Sequence, residues 1–171
     1  GDGYVISFHE SHTDCLDPLR ERIRDGKGRI RQLSADYLAY SIIDTLIDAY
    51  FPVLEAAGET LDDLEDLVIA RPEPWQVEDI HDLKRRLIHL RRCIWPMRDM
   101  ANALIRDENP LITKDTRIYL RDCYDHLVQL MDIVETDRET VSSLLEVYLS
   151  SLSARMNEIM KVLTIIATIF I

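Results

Sequence analysis

The sequence predicts a mainly α protein, in which an antiparallel pair of long helices packs beside one very long stalk helix. A remnant strand of an α/β domain is expected at the N-terminus. Three observations support this fold class. Glycine occurs five times in 171 residues and never after Gly58. Residues 111–171 contain neither glycine nor proline, so nothing in that stretch is expected to break a helix. Apolar residues make up 47% of the chain, which is enough for a sizeable core.

Residues 1–33 predict one strand and one short helix. The run Tyr4–Phe8 (YVISF) has the composition of a strand. Because a single strand is not stable without a partner, we expect residues 1–33 to be the end of a larger domain. A helix is predicted from Asp17 to Arg24, where a proline in the first turn favours helix initiation and a Gly-Lys-Gly run stops it.

Residues 34–110 predict the antiparallel helix pair. Pro52 is expected to kink the first helix. The helix is expected to end at residues 71–74, which contain two prolines. Pro96 is expected to distort the second helix locally, before a loop at residues 107–110. Both helices carry apolar residues spaced by three or four positions, which indicates one buried face on each. These are Leu38, Ile42, Leu46, Tyr50, Leu54, Ala57, Leu61, Leu64 and Val68, then Ile80, Leu83, Leu87, Leu90, Ile94, Met97, Ala101 and Leu104.

Residues 111–161 are predicted to form a stalk helix. The heptad of apolar residues continues through them, with a polar Asp137 at one of its positions. A helix from Asp115 to the end of the chain would be roughly 85 Å long at 1.5 Å per residue. Because a single domain of this size cannot contain that length, we expect the helix to pack against neighbouring helices.

Residues 162–171 (VLTIIATIFI) carry no charge and are expected to be the truncated start of a first transmembrane helix, since a span needs about 20 apolar residues. A buried terminal turn of helix is the alternative. Together with the lone strand, this run predicts that the sequence is a piece of a longer protein.

The charge of the chain excludes one class of partner. With 31 acidic and 20 basic residues, the net charge of −11 disfavours nucleic acid. Residues 55–82 hold ten acids and only Arg71 as a base, where the helix pair turns over. A soluble helical interaction module, whose acidic hairpin binds a basic partner, is therefore one functional hypothesis. Three widely spaced cysteines indicate a reducing compartment rather than a disulfide framework.

Motifs for catalysis are absent from the sequence, so no enzyme activity is predicted. No phosphate-binding glycine loop, nucleophile elbow or HExxH zinc motif occurs. Three small groups could imitate metal ligands, although a solvated or helix-face role is the ordinary explanation for each. They are His9, His12 and Cys15; His89 and Cys93; and Asp122, Asp125 and His126.

The C-terminal run Ser150–Ile171 (SSLSARMNEIMKVLTIIATIFI) closely resembles the stalk-to-membrane junction of the CorA family of magnesium channels. The resemblance covers essentially the whole chain in order. A Gly-Met-Asn loop typical of the family is expected beyond Ile171. The resemblance also implies that residues 1–33 end a cytoplasmic α/β domain, most of which would lie before Gly1, and that the stalk at residues 111–161 is cytoplasmic. The other matching runs are DPLRERIR at 17–24, ADYLAY at 35–40, IWPMR at 94–98 and YLRDCYDH at 119–126.

The resemblance implies a homopentamer that carries Mg²⁺ across the cell (inner) membrane, with this fragment mostly on the cytoplasmic side. It implies transport driven by the membrane potential, and closure when cytoplasmic Mg²⁺ binds between subunits. Magnesium would thus be both the transported and the regulatory ion, and cobalt a further ion associated with the family. The partners implied are other copies of the chain, the lipid membrane and divalent cations. A zinc-transporting relative of the same family is an alternative.

The resemblance also implies two sets of site residues. Asp122 matches the stalk carboxylate of the regulatory metal site, and Asp44 matches a second acidic position. On the last helix, residues spaced by three and four share one face, and Leu163 lies beside them. The family resemblance places that face on the pore lumen, with a polar ring at Asn157 and an apolar constriction at Met160 and Leu163. The pore-lining set is Asn157, Met160, Leu163, Thr164, Ala167 and Ile171.

Overall fold

The computed structural model describes residues 3–8, 15–26 and 28–170. It confirms a mainly α architecture, and the long helix begins one residue before the predicted start. In chain order the helices are α1 (Asp17–Asp25), α2 (Ala35–Asp48), α3 (Tyr50–Ala70), α4 (Pro74–Arg106) and α5 (Lys114–Phe170).

The strand predicted at Tyr4–Phe8 is wrong. This segment has no regular secondary structure. A strand is held by hydrogen bonds to a neighbouring strand, and none of the described residues provides one. Its strand-like composition therefore does not produce a strand here.

The helix predicted from Ser34 onward is interrupted at one residue, close to Pro52. It ends at Asp48 and restarts at Tyr50, with Ala49 between the two parts. Pro52 lies in the first turn of α3 and has no N–H to donate to the carbonyl of Asp48, four residues earlier. The missing hydrogen bond explains the interruption at Ala49, whose own backbone stays in the helical region. Pro96, in contrast, lies inside α4, which is continuous from Pro74 to Arg106.

The chain forms two compact units, of which the first contains residues 1–54 and 91–133. One cluster in its core joins α1 to α2 through Leu19 and Tyr37. Farther along the chain, the fully buried residues of this unit recur at the helical spacing that the heptad predicts. The buried apolar side chains are Leu16, Leu19, Ile30, Tyr37, Ile47, Leu54, Ile94, Ala101, Leu120, Cys123, Leu127, Leu130 and Met131.

The second unit contains residues 55–90 and 134–171, so segments of α3, α4 and α5 build it. Its buried apolar side chains are Leu61, Leu64, Val68, Ile80, Leu83, Leu87, Val134, Val141, Leu144 and Tyr148. The buried Gln76 holds the turn between α3 and α4. Its amide oxygen accepts from the Glu73 N–H at 2.9 Å, and its amide nitrogen donates to the Arg71 carbonyl at 3.0 Å.

Asp137 interrupts the buried row of α5 in the second unit. Val134 and Val141, on either side of it, are fully buried, and its Oδ2 is a buried atom without a hydrogen-bond partner among the described residues. Burial, and then the negative charge of Asp62, raises the pKa of this carboxyl. The ionised form is therefore disfavoured in the folded chain.

We expect Asp137→Leu to raise the free energy of unfolding by about 1 kcal/mol at neutral pH, because it removes a partly buried, unpaired acceptor. Since the pKa of Asp137 is raised on folding, the native aspartate destabilises the chain above that pKa and is tolerated once protonated. The advantage of the variant should shrink as the pH falls through the raised pKa. Urea unfolding at several pH values measures this difference in the free energy of unfolding, and Glu139→Leu, at an exposed position, is the control. Equal gains from the two variants would contradict this explanation.

Candidate metal centre

The N-termini of α2 and α5 are tied together by the carboxylate of Asp36. Its Oδ2 accepts hydrogen bonds from both the backbone N–H and the hydroxyl of Thr113, each at 2.8 Å. Its Oδ1 accepts from Ser34 and from the backbone N–H of Tyr37. Thr113 in turn caps α5, because its hydroxyl oxygen accepts from the Thr116 N–H at 3.3 Å.

These hydrogen bonds keep Asp36 ionised. Burial by itself would raise its pKa, but the donors on Ser34 and Thr113 outweigh burial and hold the pKa well below its usual range. The stability that the carboxylate contributes is therefore present at neutral pH and is lost only as the pH falls through this lowered pKa.

Farther along the same two helices, three tyrosine rings pack together. Tyr37 and Tyr40 come from α2 and Tyr119 from α5, and the three ring centroids lie 5.2–5.3 Å apart. Arg29 donates to the Tyr119 hydroxyl at 2.8 Å. The aromatic cluster holds α2 and α5 side by side between their capped ends and the acidic residues that follow.

Asp44 and Asp48 of α2 meet His126 of α5 just beyond the tyrosines. One potential ligand atom from each of the three lies within 4.8 Å of the others. Asp48 Oδ1 is 3.5 Å from His126 Nδ1, and the Phe51 ring stands edge-on to the imidazole at 5.9 Å. Because Asp44 and Asp48 are four residues apart, both carboxylates lie on one face of α2.

The electrostatics of Asp44 favour a bound cation. Burial, and then the charge of Asp48, raises the pKa of Asp44, although hydrogen bonds from Tyr40 and Cys123 partly oppose this rise. The Cys123 thiol donates to Asp44 Oδ1 at 3.7 Å. Burial and the nearby Asp44 raise the pKa of Cys123 to about 12, so the thiol keeps its proton. Two carboxylates that repel each other lose that penalty when a divalent cation lies between them.

The donor set fits a divalent metal ion of the transition series as well as Mg²⁺. Carboxylate oxygens are the ligands that Mg²⁺ prefers, while an imidazole nitrogen suits Co²⁺ or Zn²⁺. His126 Nδ1 is a buried nitrogen without a hydrogen-bond partner among the described residues, so it is available as a ligand when neutral. Because a metal competes with the proton of Asp44, affinity should fall at acid pH.

Of the two acids matched to the regulatory site, only Asp44 belongs to this cluster. Asp122 is exposed on α5, one turn before His126, and its charge is the smallest of the named causes that raise the pKa of the adjacent Cys123. Asp48 was not predicted, and His126 was grouped with Asp122 and Asp125 on its own helix instead. The signal that could have found Asp48 was its four-residue spacing from Asp44.

Neither of the other two predicted ligand groups forms a metal site among the described residues. His9 and His12 lie outside the described residues, and Cys15 is half-buried. Cys93 is half-buried on α4, where His89 is exposed. Within the described part of the chain, neither group forms a cluster of three close ligands.

The last turns of α5 bury nothing within this chain. Every described residue from 153 onward is exposed, and Met160 and Leu163 are 59% and 55% accessible. Asn157, Met160 and Thr164 line one shallow groove together with Lys161 and Ile165. Ala167 is exposed one turn farther on, whereas Ile171 lies outside the described residues.

The hydroxyl of Thr164 donates to the Met160 carbonyl at 2.8 Å. Because its proton is used within the helix, its oxygen lone pairs face outward. None of the described helices is both long enough and apolar enough to cross a membrane.

Comparison with known proteins agrees with this fold. The family described as CorA-like Mg²⁺ transporter protein matches residues 1–171. The cobalt/magnesium transport protein CorA of Thermotoga maritima is 54% identical over 166 residues, which is 97% of this chain and 47% of that protein. Its counterpart in Methanocaldococcus jannaschii is 29% identical over 167 residues, or 97% of this chain and 53% of that protein.

Two solved structures are similar as well. The complete structure of the Methanocaldococcus jannaschii CorA magnesium transporter superposes with a TM-score of 0.80 at 30% identity, covering 95% of this chain and 52% of that one. The structure of the full-length CmaX protein superposes with a TM-score of 0.77 at 27% identity, covering 94% of this chain and 48% of that one. The chain thus spans about half the length of the relatives it matches.

A match over every residue of the chain, together with a shared helical fold, settles the family, which is one of transporters rather than enzymes. The chain belongs to the CorA-like Mg²⁺ transporter family.

Proposed function

We propose that this chain is the helix pair and stalk of a CorA-type channel that carries Mg²⁺ across the cell membrane. The observation that carries the proposal is the chain-long match to a cobalt/magnesium transport protein at 54% identity. In the complete protein, five copies would surround one pore, and the residues described here would lie mostly on the cytoplasmic side. Residues 1–33 would form the end of the N-terminal domain, and residues 34–110 would form the helix pair. The stalk would consist of residues 111–161, and residues 162–171 would begin the first transmembrane helix.

The exposed end of α5 supports a pore-lining role. Its apolar side chains have no cover within the chain, which is expected of a helix that meets lipid or other copies of itself. Five copies of Asn157 and Thr164 would offer amide and hydroxyl oxygens to the water shell of Mg²⁺, an ion that dehydrates reluctantly. Rings of Met160 and Leu163 would close the pore by excluding water.

The Asp44–Asp48–His126 cluster supports regulation by a metal ion. We propose that cytoplasmic Mg²⁺, or Co²⁺ in its place, binds there and at the exposed Asp122, which would face a neighbouring subunit. Without metal the carboxylates repel one another, and with metal they are bridged. The bound ion would therefore shift the population toward the closed channel.

The membrane potential would suffice as a driving force. A divalent cation gains roughly 4.6 kcal/mol per 100 mV, twice the value for a single charge. This energy corresponds to an accumulation of about three powers of ten.

Ion uptake into liposomes tests the proposal and its zinc-transporting alternative. The complete transporter, reconstituted with a Mg²⁺ indicator inside, should take up Mg²⁺ much faster than empty liposomes. Uptake of Zn²⁺ with no uptake of Mg²⁺ would assign the protein to the zinc-transporting relatives. If neither ion enters, the soluble interaction module becomes the better explanation, with the acidic segment at residues 55–82 as its binding surface.

A further inference from the structure

We propose that Asp36 sets the register of α2 against α5 and thereby positions Asp44 and Asp48 against His126. Asp36 touches no ligand atom of the cluster, so its role is positioning rather than binding. The inference deepens the proposed function and rests on it, because it concerns the metal site that we assign to regulation.

The contacts between the two helices form a ladder. Along α2 the contacting residues are four positions apart, and each meets a partner farther along α5. The pairs are Asp36 with Thr113, Tyr40 with Tyr119, Asp44 with Cys123, and Asp48 with His126. From the first pair to the last, α2 advances by roughly 18 Å and α5 by roughly 20 Å at 1.5 Å per residue. The two segments therefore run side by side in the same direction.

The cluster tolerates little sliding between these helices. A slip by one turn moves α2 by about 5.4 Å along α5, more than the 4.8 Å within which the three ligand atoms lie. The tyrosine packing alone would not prevent such a slip, because apolar and ring contacts are weakly directional compared with hydrogen bonds.

The contact at Asp36 is specific to one register. Both helices begin at this contact, since Ala35 starts α2 and Lys114 follows Thr113 at the start of α5. The Asp36 carboxylate accepts two hydrogen bonds from the same residue, one from its backbone N–H and one from its hydroxyl. A charged acceptor strengthens both bonds. A shift of one residue would break both at once and leave the donors of Thr113 without this partner.

Disulfide crosslinking between α2 and α5 tests their register directly. In the complete transporter with Cys15 and Cys93 changed to serine, Asp44→Cys should crosslink to the native Cys123 under mild oxidation. Adding Asp36→Ala should lower the crosslinked fraction several-fold. Thr113→Val, which removes the hydroxyl donor and keeps the side-chain shape, should lower it less. Asp115→Asn, which removes the same charge at an exposed position in the first turn of α5, should leave the yield unchanged.

The affinity for Co²⁺ shows how the register affects the metal site. With Asp44 intact, Co²⁺ bound to an imidazole nitrogen changes its visible absorption, and subtracting the spectrum of His126→Ala isolates that signal. Asp36→Ala should raise the Co²⁺ concentration for half-saturation about tenfold, whereas Asp115→Asn should not.

Equal crosslinking and equal Co²⁺ affinity in the parent and in Asp36→Ala would overturn the positioning role. A wild-type transporter without any His126-dependent signal would instead remove the metal site itself. The crosslinking yields of the Asp44→Cys variants, with and without Asp36→Ala, distinguish that failure from a failure of Asp36 to set the register.

Discussion

Leu163→Asp should make the complete transporter leak Mg²⁺ at cytoplasmic concentrations that close the wild-type channel. Leu163 is 55% accessible within this chain and lies beside the face that carries Asn157 and Thr164. Five carboxylates in place of five isobutyl groups would keep water in the constriction and attract cations. We expect the residual flux at high Mg²⁺ to rise by at least an order of magnitude, since the apolar barrier to a hydrated ion is removed.

Two truncations on opposite faces of α5 test the choice of face. Met160→Ala only widens the constriction, so it should raise the leak more weakly than Leu163→Asp. Val162 lies on the opposite side of the helix from Thr164, and Val162→Ala should leave the leak unchanged. Mg²⁺ flux into liposomes measures all three variants. A leak from Val162→Ala together with none from Leu163→Asp would mean that another face of α5 lines the pore.

Removing ligands from the metal cluster should weaken closure by cytoplasmic metal. We expect Asp44→Asn and Asp48→Asn each to raise the half-inhibiting Mg²⁺ concentration roughly 5- to 150-fold, the range of ordinary allosteric coupling. Asp122→Asn should act in the same direction, because it removes a carboxylate proposed to face the neighbouring subunit. His126→Ala should weaken inhibition by Co²⁺ more than inhibition by Mg²⁺, since nitrogen is a better ligand for Co²⁺.

The control for these variants is Asp125→Asn, which removes an exposed charge from α5, the helix that carries Asp122 and His126. Inhibition curves of reconstituted transporter at rising Mg²⁺ or Co²⁺ give the comparison. If Asp125→Asn shifts the curves as far as Asp44→Asn does, general surface charge rather than a defined site controls closure.

The sequence predicted α5 well because the evidence for it is local. A stretch without glycine or proline and with a regular heptad needs no tertiary information to be read as a helix. The strand at Tyr4–Phe8 failed for the opposite reason. Its composition is strand-like, but strand formation depends on a partner that the described residues do not supply.

The metal centre could be predicted only in part. Asp44 was identified by resemblance, and His126 was noticed only beside acids of its own helix. Asp48 reaches His126 through the alignment of α2 with α5, and that alignment depends on hydrogen bonds between residues 77 positions apart in the chain. Spacing within one helix carries no information about such a contact.

Asp137 shows a further limit. Its place at a heptad position was visible in the sequence, but the unpaired buried oxygen was not. Heptad patterns indicate which positions face a core, and they do not indicate which polar groups find partners there.

The central claim is that the complete protein conducts Mg²⁺ down its electrochemical gradient. The most direct test is the rate of Mg²⁺ entry into liposomes that contain the purified transporter, measured without ATP at imposed potentials from zero to strongly inside-negative. We expect uptake that increases with the inside-negative potential and falls when Mg²⁺ is raised on the cytoplasmic side. Uptake that is absent at every potential, or that appears only when ATP is added, would contradict it.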